Sequence, residues 1–274
     1  MLTRRLASYG RTALVTVCCG CVLLALLFTA CQRSMLYHPT RYPVGALDNA
    51  AAKYSLRPWH NPAGQRIGWE RSTPGATSQV LIVHGNAGSA LDRVDFARAL
   101  QGAGPVNVYI LEYPGYGDRA GSPSQESLLD AATEAFRLLT NGPPVYVIGE
   151  SLGTGVAAWL AGTYPDAVRG LLLFCPYNNL TDVAKYHVTS LVPVGLLLRD
   201  RFPSEDWLRA YRGPVGILVA KEDTIVPARF GRQLYDGYAG PKKLWEIANA
   251  GHNDVCVRPD AWWQEVFAFW NWGS

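Results

Sequence analysis

Short aliphatic runs separated by longer amphipathic stretches constrain this 274-residue chain more than any other feature. The runs fall at 80–83, 106–111, 145–148, 170–174 and 215–219, with a weaker sixth at 244–248. They are too short for helices and show little polar alternation, the pattern of strands buried on both faces of a parallel sheet. Helical patterns lie between and after them at 91–100, 125–139, 152–161, 229–238 and 259–270. Ser124, with Ser127 three residues on, marks the start of the second helix. Upstream, 54–59 and 66–71 flank Asn61-Pro62-Ala63-Gly64 and read as a hairpin. Alternating strands and helices predict an α/β fold, a mostly parallel sheet of about eight strands with helices on both faces. The stretch between Phe174 and Val215 has room for two or three short cap helices and not for a large lid domain. Its most apolar part, 191–198, serves either ordinary packing or an acyl pocket.

Ahead of this body, residues 13–30 carry no charge, and Arg4, Arg5 and Arg11 precede them. A basic start followed by an apolar run is the layout of a signal peptide, and eighteen apolar residues also reach the lower limit of a membrane span. The arginines would keep the N-terminus cytoplasmic. Phe28-Thr29-Ala30-Cys31 resembles a bacterial lipobox, with Phe28 where that motif usually has Leu. The resemblance implies lipidation at Cys31, and Gln32 in place of Asp implies sorting to an outer membrane. The alternative is an uncleaved anchor. The predicted organisation is a signal peptide or anchor over 1–30, a tether and entry segment over 31–53, and the α/β domain over 54–274, held on the cell envelope outside the cytoplasm.

Charge and cysteine usage narrow the functions. The chain has 25 Lys and Arg against 22 Asp and Glu, and the three leading arginines account for the excess. A neutral body argues against nucleic acid as a partner. Of six cysteines, only Cys175 and Cys256 lie beyond Cys31, too few for a disulfide framework or a four-cysteine zinc site. Their strands should not be adjacent, so two free thiols are expected.

Ligands of such sheets bind outside the carboxyl ends of the strands. After the run 145–148 comes Gly149-Glu150-Ser151-Leu152-Gly153, with a helical pattern following. Small residues on either side of Ser151 permit a sharp strand-to-helix turn that would raise the serine above the sheet. The bland alternative is a serine N-cap. A serine nucleophile needs a base and an orienting acid. Asp223 follows the run 215–219, and His252 follows the run 244–248. Glu222 is the competing acid. His84-Gly85-Asn86-Ala87-Gly88 ends the run 80–83 in a glycine-rich turn.

With Glu112-Tyr113-Pro114-Gly115-Tyr116-Gly117, Lys221-Glu222-Asp223-Thr224-Ile225-Val226-Pro227 and Gly251-His252-Asn253-Asp254, these segments resemble the α/β-hydrolase superfamily from about Leu36 to Trp272. They are most similar to its membrane-associated serine hydrolases of the depalmitoylase and lysophospholipase branches and their bacterial relatives. Tyr37-His38-Pro39 matches a Tyr-x-Pro stretch those proteins carry. The resemblance implies an α/β-hydrolase fold and a serine hydrolase acting on an ester or thioester, with Ser151, Asp223 and His252 catalytic. It further implies an oxyanion hole from the backbone N–H groups of Asn86 and Leu152, with His84 shaping its loop. The expected substrate is a small or lipid-like ester, with no metal or organic cofactor. Tyr113, Tyr116 and Tyr177 follow strands and are expected at the mouth of the pocket. Glu150 departs from the family pattern and either pairs with a basic residue or disfavours anionic substrates. A peptidase or amidase on the same fold, or a catalytically idle envelope protein, are the rival readings.

Overall fold

In the computed structural model, which describes residues 2–271, an eight-stranded sheet forms the centre. Its strands are β1 (Arg57–His60), β2 (Arg66–Arg71), β3 (Ser78–Val83), β4 (Val106–Leu111), β5 (Val145–Glu150), β6 (Val168–Phe174), β7 (Val215–Ala220) and β8 (Lys242–Ile247). Their spatial order is β1-β2-β4-β3-β5-β6-β7-β8. Only the pairs that include β2 are antiparallel. The remaining pairs are parallel, as the unalternating apolar runs predict.

The helices are α1 (Leu2–Leu36), α2 (Asp48–Lys53), α3 (Val94–Ala103), α4 (Gln125–Leu139), α5 (Leu152–Thr163), α6 (Leu180–His187), α7 (Ala228–Gly237) and α8 (Asp260–Phe269). The pleat of β3 shows how the sheet is covered. Leu81 and Val83 join a core with Phe136 of α4, Val156 of α5 and Leu234 of α7. Val80 and Ile82 join a second core with Phe96 of α3 and Trp263 of α8. Successive side chains of a strand point to opposite faces, so one apolar run feeds both layers. Ser124 and Ser127 cap α4 reciprocally: each side-chain oxygen accepts from the other's backbone N–H, at 3.1 and 2.9 Å.

The N-terminal segment differs from the expected tether. α1 does not stop at residue 30 but continues through Cys31 to Leu36. His38-Pro39 then pairs in parallel with Ala87-Gly88, and α2 follows. The last turns of α1 are docked. Phe28 packs with Val192, Val194 and Leu198. The Gln32 side chain donates to the Leu197 carbonyl at 3.2 Å and accepts from the Arg199 N–H at 2.7 Å. Arg33 and the Tyr37 hydroxyl both donate to the buried Asp200 carboxylate. Residues 14–36 of α1 make a stretch of 23 residues, by length and composition apolar enough to cross a bilayer, and the body covers little of it. The side chains of Arg4, Arg5 and Arg11, and residues 272–274 of the expected domain, lie outside the described residues.

The cap stretch between β6 and β7 holds α6 and shorter helical turns at Val194–Leu197 and Ser204–Trp207. Among the described residues, no large lid interrupts the sheet.

A close backbone contact lies where the first turn of α5 meets the end of β3. A Cβ at Gly153 would overlap the Val83 carbonyl oxygen, a backbone atom with no freedom to yield. Gly153→Ala is therefore expected to destabilise the chain by about 1–3 kcal/mol through overpacking, read as a lower urea midpoint with an unchanged m-value.

Candidate active site

β5 ends in a strained turn. Ser151 has φ 50° and ψ −117°, a conformation that costs a non-glycine residue about 1–3 kcal/mol. The surroundings over-determine it. The Ser151 N–H donates to the Phe174 carbonyl at 2.8 Å, and the Ser151 carbonyl accepts from the Thr154 N–H and hydroxyl. The turn carries Ser151 Oγ above the carboxyl ends of the strands, at the start of α5.

Two loops converge on that hydroxyl. His252, in the loop after β8, places Nε2 2.9 Å from Ser151 Oγ. Its Nδ1 lies 2.6 Å from Oδ2 of Asp223, in the loop after β7. The other Asp223 oxygen accepts N–H bonds from Ile225 and Val226 at 2.8 and 2.7 Å. The carboxylate is therefore fully hydrogen-bonded in a buried position, and its lone pairs fix the histidine ring. Glu222, the competing acid, points to solvent. Serine hydroxyl, imidazole and carboxylate thus stand in one hydrogen-bonded series.

Facing the serine is the loop after β3. The Asn86 side chain donates to the Leu36 carbonyl at 2.9 Å, and the Asn86 carbonyl accepts from His38 N–H and from the Tyr116 hydroxyl. His84 is fully buried beneath it, its ring 4.2 Å from that of Tyr113. The Tyr113 hydroxyl donates to the His84 carbonyl at 3.1 Å. These contacts correct the expectation that Tyr113 and Tyr116 line the pocket. Both are fully buried and brace the loop from below. Tyr177 does line the pocket, its hydroxyl held by the Leu152 carbonyl at 3.1 Å.

Glu150 has a basic partner. Arg93 donates from Nε and Nη2 to the two Glu150 oxygens, at 2.6 and 3.0 Å, and from Nη1 to the Ala87 carbonyl. Burial alone would lower the guanidinium pKa, but the adjacent carboxylate outweighs it and the net shift is upward. The pair ties the serine turn to the facing loop, so Asn86 and Leu152 are held at one site.

Ser151, Leu152, Asn86 and His252 open into a cavity of about 500 Å³. Leu180, Val183, Val188 and Leu198 of the cap give it an apolar wall. Phe28, Met35 and Leu36 of α1 form another side.

Comparisons with known proteins agree with the fold. Residues 79–197 match the α/β hydrolase fold family. An uncharacterised protein of Mycobacterium tuberculosis is 32% identical over 231 residues, covering 81% of each chain. The chain belongs to the α/β-hydrolase superfamily. A lysophosphatidylserine lipase of Danio rerio is 34% identical over 210 residues, covering 68% of this hydrolase-fold chain and 54% of that protein. Protein bem46 of Schizosaccharomyces pombe is 26% identical over 270 residues, with 90% and 88% covered. Among solved structures, an esterase of Pyrococcus furiosus superposes with a TM-score of 0.64 at 17% identity, covering 86% of this chain and 97% of that one.

One cluster at the site has donor types found in metal centres. Donor atoms of Cys175, Asp223 and His252 lie within 4.8 Å of one another. Both Asp223 oxygens and the facing histidine nitrogen are already hydrogen-bonded. Burial, with the Asp223 carboxylate beside it, pushes the Cys175 thiol well above its usual range. Cys256 is likewise raised to about 12, first by burial and then by Glu150. Both thiols are free.

Arg93 and the α1 residues were not legible as site residues. Glu150 signalled that some cation was needed, but only the fold shows which one. Because a half-pair buried without its partner is costly, Arg93→Met is expected to destabilise by about 3 kcal/mol. The double change Arg93→Met with Glu150→Met should recover much of that loss in thermal or urea unfolding. A double variant as unstable as the sum of its two single variants would show that the two side chains do not interact.

Proposed function

We propose that this α/β hydrolase is a membrane-tethered serine hydrolase that cleaves a carboxylic ester or thioester of an acyl-bearing substrate through an acyl-enzyme on Ser151. The observation that carries the reading is the Ser151–His252–Asp223 hydrogen-bond series opening into a largely apolar cavity. The lipase named among the relatives, which acts on lysophosphatidylserine, supports an ester with a lipid-like acyl group.

The hydrogen bonds at Ser151, His252 and Asp223 support a two-stage route. His252 Nε2 takes the Ser151 proton as Oγ adds to the substrate carbonyl carbon. Asp223 holds the ring by Nδ1, so that Nε2 faces the serine and the imidazolium is stabilised as it forms. The carbonyl oxygen gains charge as the tetrahedral intermediate forms. The backbone N–H groups of Asn86 and Leu152 are the proposed donors to it, and one such donor is typically worth about 3–4 kcal/mol in the transition state. His252 then gives its proton to the leaving alcohol or thiol as the carbon–oxygen or carbon–sulfur bond breaks. Water, deprotonated by the same histidine, adds to the acyl-enzyme and releases the acid and Ser151. An apolar wall suits an acyl chain better than a peptide, whose backbone N–H and C=O groups would go unpaired there.

The tether is α1. Cleavage before Cys31 would remove Phe28 from its cluster with Val192, Val194 and Leu198, which supports a retained helix over a lipid-bearing Cys31. With arginines at its start, the helix would cross outward and hold the body on the far side of the membrane from the cytoplasm.

With a long-chain p-nitrophenyl ester as substrate, Ser151→Ala is expected to lower turnover by about 10⁵-fold or more. Asp223→Asn should lower it by about 10⁴-fold, and Glu222→Gln should leave it near wild type. A silent Asp223→Asn beside a damaging Glu222→Gln would name the wrong carboxylate. For the tether, intact-mass measurement of membrane-extracted protein should find the chain uncleaved, and an acylated Cys31 at the N-terminus would contradict the retained helix.

A further inference from the structure

The apolar length of α1 fixes how deep its neighbours sit. Arg11 precedes the uncharged run and Arg33 follows it. The 21 residues between them span roughly 31 Å at the α-helical rise, close to the hydrocarbon thickness of a bilayer. With Arg33 at the headgroups, Phe28 lies roughly 6 Å inside the hydrocarbon edge.

Residues 188–198 are fixed at that same depth. Val192, Val194 and Leu198 pack on Phe28, and Gln32 holds the segment at the Leu197 carbonyl and the Arg199 N–H. The opposite side of this segment is apolar and uncovered: Leu191 is 61% and Leu196 is 82% exposed. Exposed Lys185 and Arg199 flank it, where cations meet lipid headgroups. An uncovered apolar surface continuous with a bilayer-length apolar helix calls for the same solvent as that helix. The inner side of the segment belongs to the cavity. Val188 and Leu198 line it together with Phe28, Met35 and Leu36, and Ser151 lines it too.

We propose that residues 188–198 form a second membrane contact, with Leu191 and Leu196 inserted among the lipid chains beside α1, and that a single acyl chain of a bilayer lipid passes between this segment and the end of α1 to reach Ser151. The partner is the bilayer, and the ligand is one chain of an amphiphile already resident in it. The passage of the acyl chain rests on the hydrolase reading above, whereas the insertion of Leu191 and Leu196 does not. Neither leucine lines the cavity, so their task is to bring the entrance to the lipid rather than to hold the substrate.

The full chain in phosphatidylcholine nanodiscs tests both parts. A nitroxide is attached at Leu196→Cys in a chain whose Cys18, Cys19, Cys21, Cys31 and Cys256 are changed to Ser, and its collisions with oxygen and with a water-soluble nickel complex are compared. Greater access to oxygen than to nickel is expected. Dominant nickel access would overturn the insertion, as would dipolar coupling between labels on two chains, which would make a second copy the partner. In parallel, Leu191→Asp with Leu196→Asp should lower turnover of a long-chain ester in the same nanodiscs by about tenfold or more. Turnover of a water-soluble short-chain ester should stay unchanged. Equal turnover of the long-chain ester by variant and wild type, or an equal loss on both substrates, would overturn the entrance. A wild-type chain that hydrolyses neither ester would refute the hydrolase reading, and the label depth would still decide the membrane contact.

Discussion

The close approach of β5, α5 and β3 around Ser151 is the constraint on which the site depends. A Cβ at Gly149 would crowd the Gly153 carbonyl and Thr154, and one at Gly153 would strike the Val83 carbonyl. The glycines allow the chain to reverse within one residue, and Ser151 absorbs the reversal at φ 50°. Such strain persists only where neighbours enforce it. The enforcing contacts are backbone bonds from β6 and the first turn of α5, so the serine's position is set by the sheet rather than by the loops around it.

The loops are then fastened to that fixed point. Asp223 is oriented by its own turn, and His252 by Asp223. The Arg93–Glu150 pair joins the serine turn to the loop of Asn86. That loop is fastened in turn to the end of α1 through the Asn86–Leu36 bond and the pairing of His38-Pro39 with Ala87-Gly88. A continuous run of hydrogen bonds thus connects the apolar helix to the proposed oxyanion donors. In the proposed enzyme, the element that meets the membrane also shapes the catalytic pocket.

How much of this the sequence carried depended on whether the information was local. Strand positions were legible because burial on both faces writes itself as an unbroken apolar run, as at 215–219, where the observed strand is buried throughout and runs one residue further, to Ala220. The serine turn, Asp223 and His252 were legible because each directly follows a strand. Tyr113 and Tyr116 also follow a strand, yet they turn under the neighbouring loop, and only packing decides that choice. Arg93 lies in a helical pattern where any exposed cation would look the same. Gln32 read as a sorting residue, yet in the fold it clamps the cap segment. Within the 31–53 segment, His38-Pro39 is ordered by pairing with a loop about 50 residues away, a contact that no local pattern encodes.

The central claim is that Ser151 is the nucleophile and that its neighbours activate it. Its most direct measurement is peptide mapping of the full chain after reaction with a fluorophosphonate, run beside His252→Ala. The expected result is one adduct, on Ser151, in the wild-type chain, with labelling at least about a hundredfold slower once the base is removed. An adduct on any other residue, or equal labelling rates with and without His252, would contradict it.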